Sequence, residues 1–202
     1  MTLDALRPLA ERLVAPFVAG ARRVGLTPGG VSVLAVFTAA AAGVAFAVAG
    51  RVRPLYALGA LLVFWNGVLD LLDGQLAREL EVTSLAGDLL DHVLDRYADV
   101  LIIGGLAAGV EQYALGFAAV TGVLLTSYLG TQAEAVGLDR GYGGLLGRAD
   151  RLALVGVVTL FSVAVEETAY GLTLVGWLLV VFAVVGHLTA LQRFYYAMRA
   201  LR

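Results

Sequence analysis

Four carboxylates give this sequence its chemistry. Asp70, Asp73, Asp91 and Asp95 fall in the stretch DLLDGQLARELEVTSLAGDLLDHVLD, which is otherwise compatible with lipid. Asp70 and Asp73 stand three apart, and Asp91 and Asp95 four apart. On a helix with 3.6 residues per turn, both spacings fall on one face. The first face carries Asn66, Asp70, Asp73, Gly74 and Ala77, and the second carries Ser84, Gly87, Asp88, Asp91 and Asp95. Arg78 to Ser84 (RELEVTS) is the polar break between two helices. An antiparallel hairpin made there brings the two aspartate pairs to similar depth, face to face. Ionised carboxylates crowded so closely at low dielectric repel strongly unless a cation lies among them. Acidic groups within an apolar segment are costly and by default functional. The chemistry expected is a divalent metal site, and hard oxygen ligands suit Mg²⁺ or Mn²⁺. Two such ions bridged by carboxylates can hold a diphosphate and stabilise a leaving phosphate. A lone aspartate such as Asp88 or Asp99 is equally well a helix cap or a hydrogen-bonded core residue.

A second stretch, SYLGTQAEAVGLDRGYGGLLGRADRLALVG, supplies cations. Arg148 and Arg151, three apart, share one face at a helix start, and Arg193 can converge on them from a later helix. Guanidinium groups grip phosphate bidentately. The same arginines also fit a simple marking of the membrane's inner edge.

The elements that position these residues follow from composition. The chain has 202 residues, 60% hydrophobic and only 15% charged, with a mean hydropathy of +0.86. That is too apolar for a soluble domain and predicts an all-α, polytopic membrane protein. Apolar runs of bilayer-spanning length predict six transmembrane helices, at Gly30–Gly50, Pro54–Leu76, Leu85–Gly109, Tyr113–Ala135, Leu152–Val165 and Tyr170–Tyr195. Abundant Gly and Ala permit close helix contact in lipid. Residues 1–25 carry Asp4, Glu11 and four arginines and do not read as a secretory signal. Leu3, Leu6, Leu9, Leu13, Val14, Phe17 and Val18 follow helical spacing, predicting an amphipathic juxtamembrane surface helix kinked at Pro16. A helix packed on the protein's own surface fits the same pattern. No linker separates domains, so residues 1–202 form a single domain.

With the N-terminus inside, Arg7, Arg12, Arg22, Arg23, Arg140, Arg148, Arg151, Arg199 and Arg202 lie on the cytoplasmic side. Arg51, Arg53, Glu111, Glu166 and Glu167 lie outside. The positive-inside rule favours this orientation, and the aspartate hairpin then turns on the cytoplasmic side. All 14 basic residues are arginine, there is no cysteine, and net charge is −2. Thiolate sites are excluded, and nucleic acid is not an expected partner. His92 and His187 have no second histidine nearby, so packing is their expected role. Trp65 and Trp177 are expected to face lipid or the interface.

The interval pattern Asp70-x2-Asp73-Gly74-x2-Ala77-Arg78-x8-Gly87-x3-Asp91-x3-Asp95 resembles, at every fixed position, the signature of the CDP-alcohol phosphotransferases. The resemblance implies a CDP-linked lipid donor, CDP-diacylglycerol or CDP-archaeol, whose diphosphate sits on a two-metal site. It implies Asp70, Asp73 and Asp91 as principal ligands, with Asp95 both a ligand and the general base on the acceptor hydroxyl. Release of CMP follows. Gly74, Ala77, Arg78 and Gly87, with Asp70 and Asp73, would form the nucleotide pocket, and Asn66 and Ser84 lie on faces that can assist. A homodimer in the cell membrane is also implied. Ser127-Tyr128, Ala133-Glu134-Ala135, Gly137, Arg148-x2-Arg151 and Gln192-Arg193 resemble the branch that uses inositol phosphate as acceptor. Arg148, Arg151 and Arg193 would then bind the acceptor phosphate of a polyol phosphate. Where that branch carries a Lys and an Arg, this chain has Gly130 and Gln132. Two other readings use buried carboxylates: an intramembrane prenyltransferase with an Asp/Mg²⁺ diphosphate site, and a cation transporter.

Overall fold

The computed structural model describes residues 7–82, 84–138 and 146–202. Leu3, Asp4, Leu6, Thr83 and Arg140, which entered the readings above, lie outside them. The described chain is all-helical: α1 (Arg7–Arg23), α2 (Pro28–Ala49), α3 (Leu55–Glu79), α4 (Leu85–Gly109), α5 (Tyr113–Ala135), α6 (Arg148–Ser162) and α7 (Leu174–Ala200). Among the described residues, α2, α3, α5 and α7 are long and apolar enough to cross a bilayer. The other two expected spans differ from them for visible reasons. α4 has 25 residues but carries Asp88, Asp91, Asp95, Arg96 and Asp99. α6 has 15 residues, or about 22 Å at 1.5 Å per residue, against a hydrocarbon core of about 30 Å. α6 starts at Arg148 rather than Leu152. α7 starts at Leu174 rather than Tyr170, after a short Ala169–Leu172 bridge.

Local chemistry explains the helix ends. Thr27, Ser84 and Thr173 each accept a hydrogen bond from a backbone N–H of the first turn, satisfying donors with no intrahelical partner. α3 ends with Val82 N–H donating to the Ala77 carbonyl and Glu81 N–H to the Arg78 carbonyl. Glu81 is left-handed there (φ 53), which completes a Schellman motif. α4 ends the same way around Glu111 (φ 56). α1 runs unbroken as a helix through Pro16.

α2 is the central element for the aspartate region. Both α3 and α4 pack mainly on α2, while α6 and α1 pack on α3, and α5 packs on α7. The α2–α4 contact runs through glycine. A Cβ on Gly105 would overlap the Gly43 carbonyl, and one on Gly50 would overlap Gly109. Gly122 and Gly186 bring α5 and α7 together likewise, since a Cβ on Gly186 would lie 2.7 Å from the Gly122 carbonyl carbon. The main core gathers Phe46, Ile102, Leu106, Leu179 and Phe182. A second cluster packs Val14, Val18 and Ala21 of α1 against Val31, Leu72 and Leu76. The opposite flank of α1 leaves Leu9, Leu13 and Phe17 exposed.

One expectation needs correcting. α3 and α4 are consecutive and antiparallel in sequence order, but they do not pack closely on each other. Each leans on α2, and the aspartates face one another across the gap that results. A tight hairpin would have closed that gap with side chains. The third helix holds it open.

Candidate active site

The gap is a cavity with about 190 Å³ of empty space, counted with its open mouth, and it is lined in part by Ser32, Asn66, Asp70, Asp73, Asp91, Asp95 and Arg148. Asp70 comes from α3, and Asp91 and Asp95 come from α4. One carboxylate oxygen from each lies within 4.8 Å of the other two. Asp73 lines the same cavity but stands outside that trio. It is buried, and its Oδ2 accepts a 2.7 Å hydrogen bond from Ser32 Oγ of α2.

The fit to a divalent cation can be tested on the structure itself. The Arg148 guanidinium is lodged among the carboxylates, paired with Asp70 and, at 2.7 Å, with Asp95. A cation already occupies the position that the carboxylate repulsion demands. Its Nε has no partner among the described residues. Three hard oxygen donors with this convergence fit Mg²⁺ or Mn²⁺.

Of the expected nucleotide residues, Asn66, Asp70, Asp73, Gly74, Ala77 and Arg78 lie on α3 and Ser84 and Gly87 at the start of α4, and they differ in what they touch. A Cβ on Gly74 would meet only the Arg78 Nη1, at 3.7 Å, so the backbone there stands open to a ligand. Arg78 is half exposed and pairs with Glu11 of α1 at 3.0 Å. Asn66 is fully buried, and its Nδ2 donates to the Ala35 carbonyl at 2.7 Å while its Oδ1 has no described partner. Ser84 is the N-cap of α4, accepting from Gly87 N–H at 3.0 Å.

The three arginines have different partners. Arg148 is in the carboxylate cluster. Arg151 is buried and pairs with buried Asp99 at 2.9 Å. Arg193 Nη1 donates to the Thr126 carbonyl at 2.6 Å, and it lies over Gly130, where a Cβ would approach that nitrogen to 2.9 Å. The glycine that stands in place of an expected lysine makes room for the arginine.

Sequence reasoning missed Ser32 as a partner of Asp73, and Glu11 as a partner of Arg78. Neither carries a local signal, because each is brought in by packing. Asp99 did carry one. It continues the four-residue stripe Asp91, Asp95, Asp99 by one more turn.

Comparison with known proteins places this geometry in a family. The sequence profile of the CDP-alcohol phosphatidyltransferases matches residues 26–187. The phosphatidylinositol phosphate synthase of Mycobacterium marinum is 31% identical, over 94% of this chain and 81% of its own length. The archaetidylinositol phosphate synthase of Methanothermobacter thermautotrophicus is 27% identical, over 99% of this chain and 96% of its own. The crystal structure of Mycobacterium tuberculosis phosphatidylinositol phosphate synthase with CDP-DAG bound superimposes with a TM-score of 0.78. It is 27% identical and covers 92% of this chain and 94% of that one. The same enzyme in complex with manganese and citrate gives 0.78 at 26% identity, over 92% and 88% of the two chains. With the four signature aspartates lining one cavity and the match running through six of the seven helices, the chain belongs to the CDP-alcohol phosphatidyltransferase family.

Proposed function

We propose that this chain is a phospholipid synthase. It transfers the phosphatidyl or archaetidyl group of CDP-diacylglycerol or CDP-archaeol to a hydroxyl of a phosphorylated polyol, inositol phosphate or glycerol phosphate, and releases CMP. The convergence of Asp70, Asp91 and Asp95 on one cavity carries this reading. Bound Mg²⁺ or Mn²⁺ would supply the positive charge that a diphosphate donor and a departing phosphate require. Asp70, Asp73, Asp91 and Asp95 would hold that charge in place. Ser32 fixes the Asp73 carboxylate so that it enters the cavity in one orientation. Gly74, Ala77 and Gly87 let the nucleotide approach the backbone, and Arg78 borders it. Asp95 takes the proton from the acceptor hydroxyl as that oxygen attacks the lipid-linked phosphorus and CMP departs. Arg148, Arg151 and Arg193 attract the acceptor's phosphate, Arg148 from its place beside Asp95.

The membrane reading goes with it. Six helices, α2 to α7, span the bilayer, and α1 lies at the surface with Leu9, Leu13 and Phe17 toward lipid. The carboxylate cavity faces the cytoplasm, where arginines accumulate, and the protein works as a homodimer. The test is CMP release from purified protein in detergent. CDP-diacylglycerol and CDP-archaeol are each offered with inositol 1-phosphate, glycerol 3-phosphate, glycerol 1-phosphate, serine and free inositol, with and without Mg²⁺. Metal-dependent release with a phosphorylated acceptor is expected. Preference for serine or free inositol would remove the phosphate role from the arginines. No release with any pair would overturn the proposal.

A further inference from the structure

Asp99 has no part in the reaction described so far, yet it is among the most buried charged groups of the chain. Its exposure is 4%, and that of its partner Arg151 is 6%. Asp99 Oδ2 accepts from Arg151 Nη2 at 2.9 Å and stands 3.4 Å from Arg96 Nη1. Arg96 in turn stands 3.5 Å from Asp95 and donates to Ser127 Oγ of α5. One carboxylate therefore ties α4 to α6 directly and to α5 through Arg96. A buried ion pair is weak support for stability, since apolar residues of the same size often serve as well. Its retention calls for another reason.

That reason lies on the far side of Arg151. This arginine lines a second cavity, between α5, α6 and α7, with Thr126, Phe182, Gly186 and Thr189. The cavity holds about 230 Å³ of empty space, counted with its mouth. Arg151 Nε has no hydrogen-bond partner among the described residues. A guanidinium already held on one edge keeps donors for an anion and loses less freedom on binding it.

We propose that Asp99 is a positioning residue for the acceptor: it fixes the Arg151 guanidinium at the second cavity and, through Arg96, links that grip to Asp95. The inference rests on the reading of Arg151 as an acceptor-phosphate residue. The test separates the two. KM is measured for inositol 1-phosphate and for CDP-diacylglycerol in Arg151→Gln, Asp99→Asn and the double variant. Arg151→Gln should raise the inositol 1-phosphate KM, and an unchanged value would sink the acceptor reading and this inference with it. Asp99→Asn should raise the same KM about tenfold or more, as misplacement of a positioning group does, while the CDP-diacylglycerol KM stays put. In the inositol 1-phosphate KM the double variant should be no worse than Arg151→Gln alone, because Asp99 acts on that KM through Arg151. A rise in Arg151→Gln with none in Asp99→Asn, an equal rise in both substrates' KM, or a double variant that multiplies the two effects would overturn the positioning role and leave the acceptor reading intact. If Asp99→Asn fails to fold with Arg151 left buried and unpaired, Asp99→Glu, which keeps the charge and moves it by one methylene, takes its place and should raise the same KM, and an unchanged value would overturn the positioning role.

Discussion

Arg148 governs the electrostatics of the site at the scale of single residues. Without it, Asp70, Asp91 and Asp95 would face one another with Arg96, 3.5 Å from Asp95, as the remaining ion-pair partner among the described residues. Arg148→Gln should therefore lower the melting temperature in EDTA, by an amount corresponding to about 3 kcal/mol, the range for breaking a buried pair. It should also enlarge the upward shift produced by Mn²⁺, because the ion no longer competes with a guanidinium for the same oxygens. Thermal unfolding in detergent with EDTA and with Mn²⁺ measures both. An unchanged Mn²⁺ shift would mean that the arginine and the metal do not share ligands. Asp95→Asn keeps the size of the side chain and removes its basicity. Turnover should fall about 10²- to 10⁴-fold, as loss of a general base does, while CDP-lipid binding persists in a direct binding assay. Near-normal turnover would move the base elsewhere. The aspartates were legible in sequence because helical spacing and cost in lipid both act locally. The arginines' partners were not, because what Arg148, Arg151 and Arg193 touch depends on how α6 and α7 dock.

At the scale of elements, helix ends and contacts decide how wide the cavity is. The helices themselves could be read from apolar runs, and α4 and α5 begin and end as expected. The relation of α3 to α4 could not be read, since nothing in either helix records that both lean on α2. The record is in Gly43, Gly50, Gly105 and Gly109, whose missing side chains set the α2–α4 distance. Gly105→Leu must push α4 off α2, with an overpacking cost of about 1–3 kcal/mol and a displaced Asp91 and Asp95. Melting temperature and CMP release should fall together, and retention of both would show that the glycine contact is slack. Glu111 points the other way. It closes α4 at φ 56, where a side chain is strained and glycine is not. Glu111→Gly should raise stability by about 0.5–1 kcal/mol with activity unchanged, as read by thermal unfolding and CMP release. A loss of stability would mean that the Glu111 side chain holds the turn by a contact of its own.

Across the whole molecule, charge separates the two ends. Arg53, at the start of α3, donates to the Ser162 and Val165 carbonyls at 2.8 and 2.6 Å and pairs with Glu166. That end therefore gathers the turn before α3 and the turn after α6. Arg22 and Arg23 at the end of α1, Arg78 at the end of α3 and Arg199 near the end of α7 belong to the opposite end, by the alternation of the helices. In the proposed orientation the arginine-rich end stays inside, and the carboxylate cavity would then exchange soluble acceptors and departing CMP with the cytosol. The absence of cysteine makes the orientation directly measurable. Glu167→Cys and Arg23→Cys each add one thiol at an exposed position near opposite ends. In intact cells, a membrane-impermeant maleimide should modify Glu167→Cys at once and Arg23→Cys only after lysis. The reverse pattern would turn the site outward, away from any cytosolic acceptor phosphate, and the proposed reaction would then lack its second substrate. Labelling of both in intact cells would mean that α1 does not stay at the inner surface, and the packing of Val14 and Val18 on Leu72 and Leu76 would have to release to allow it.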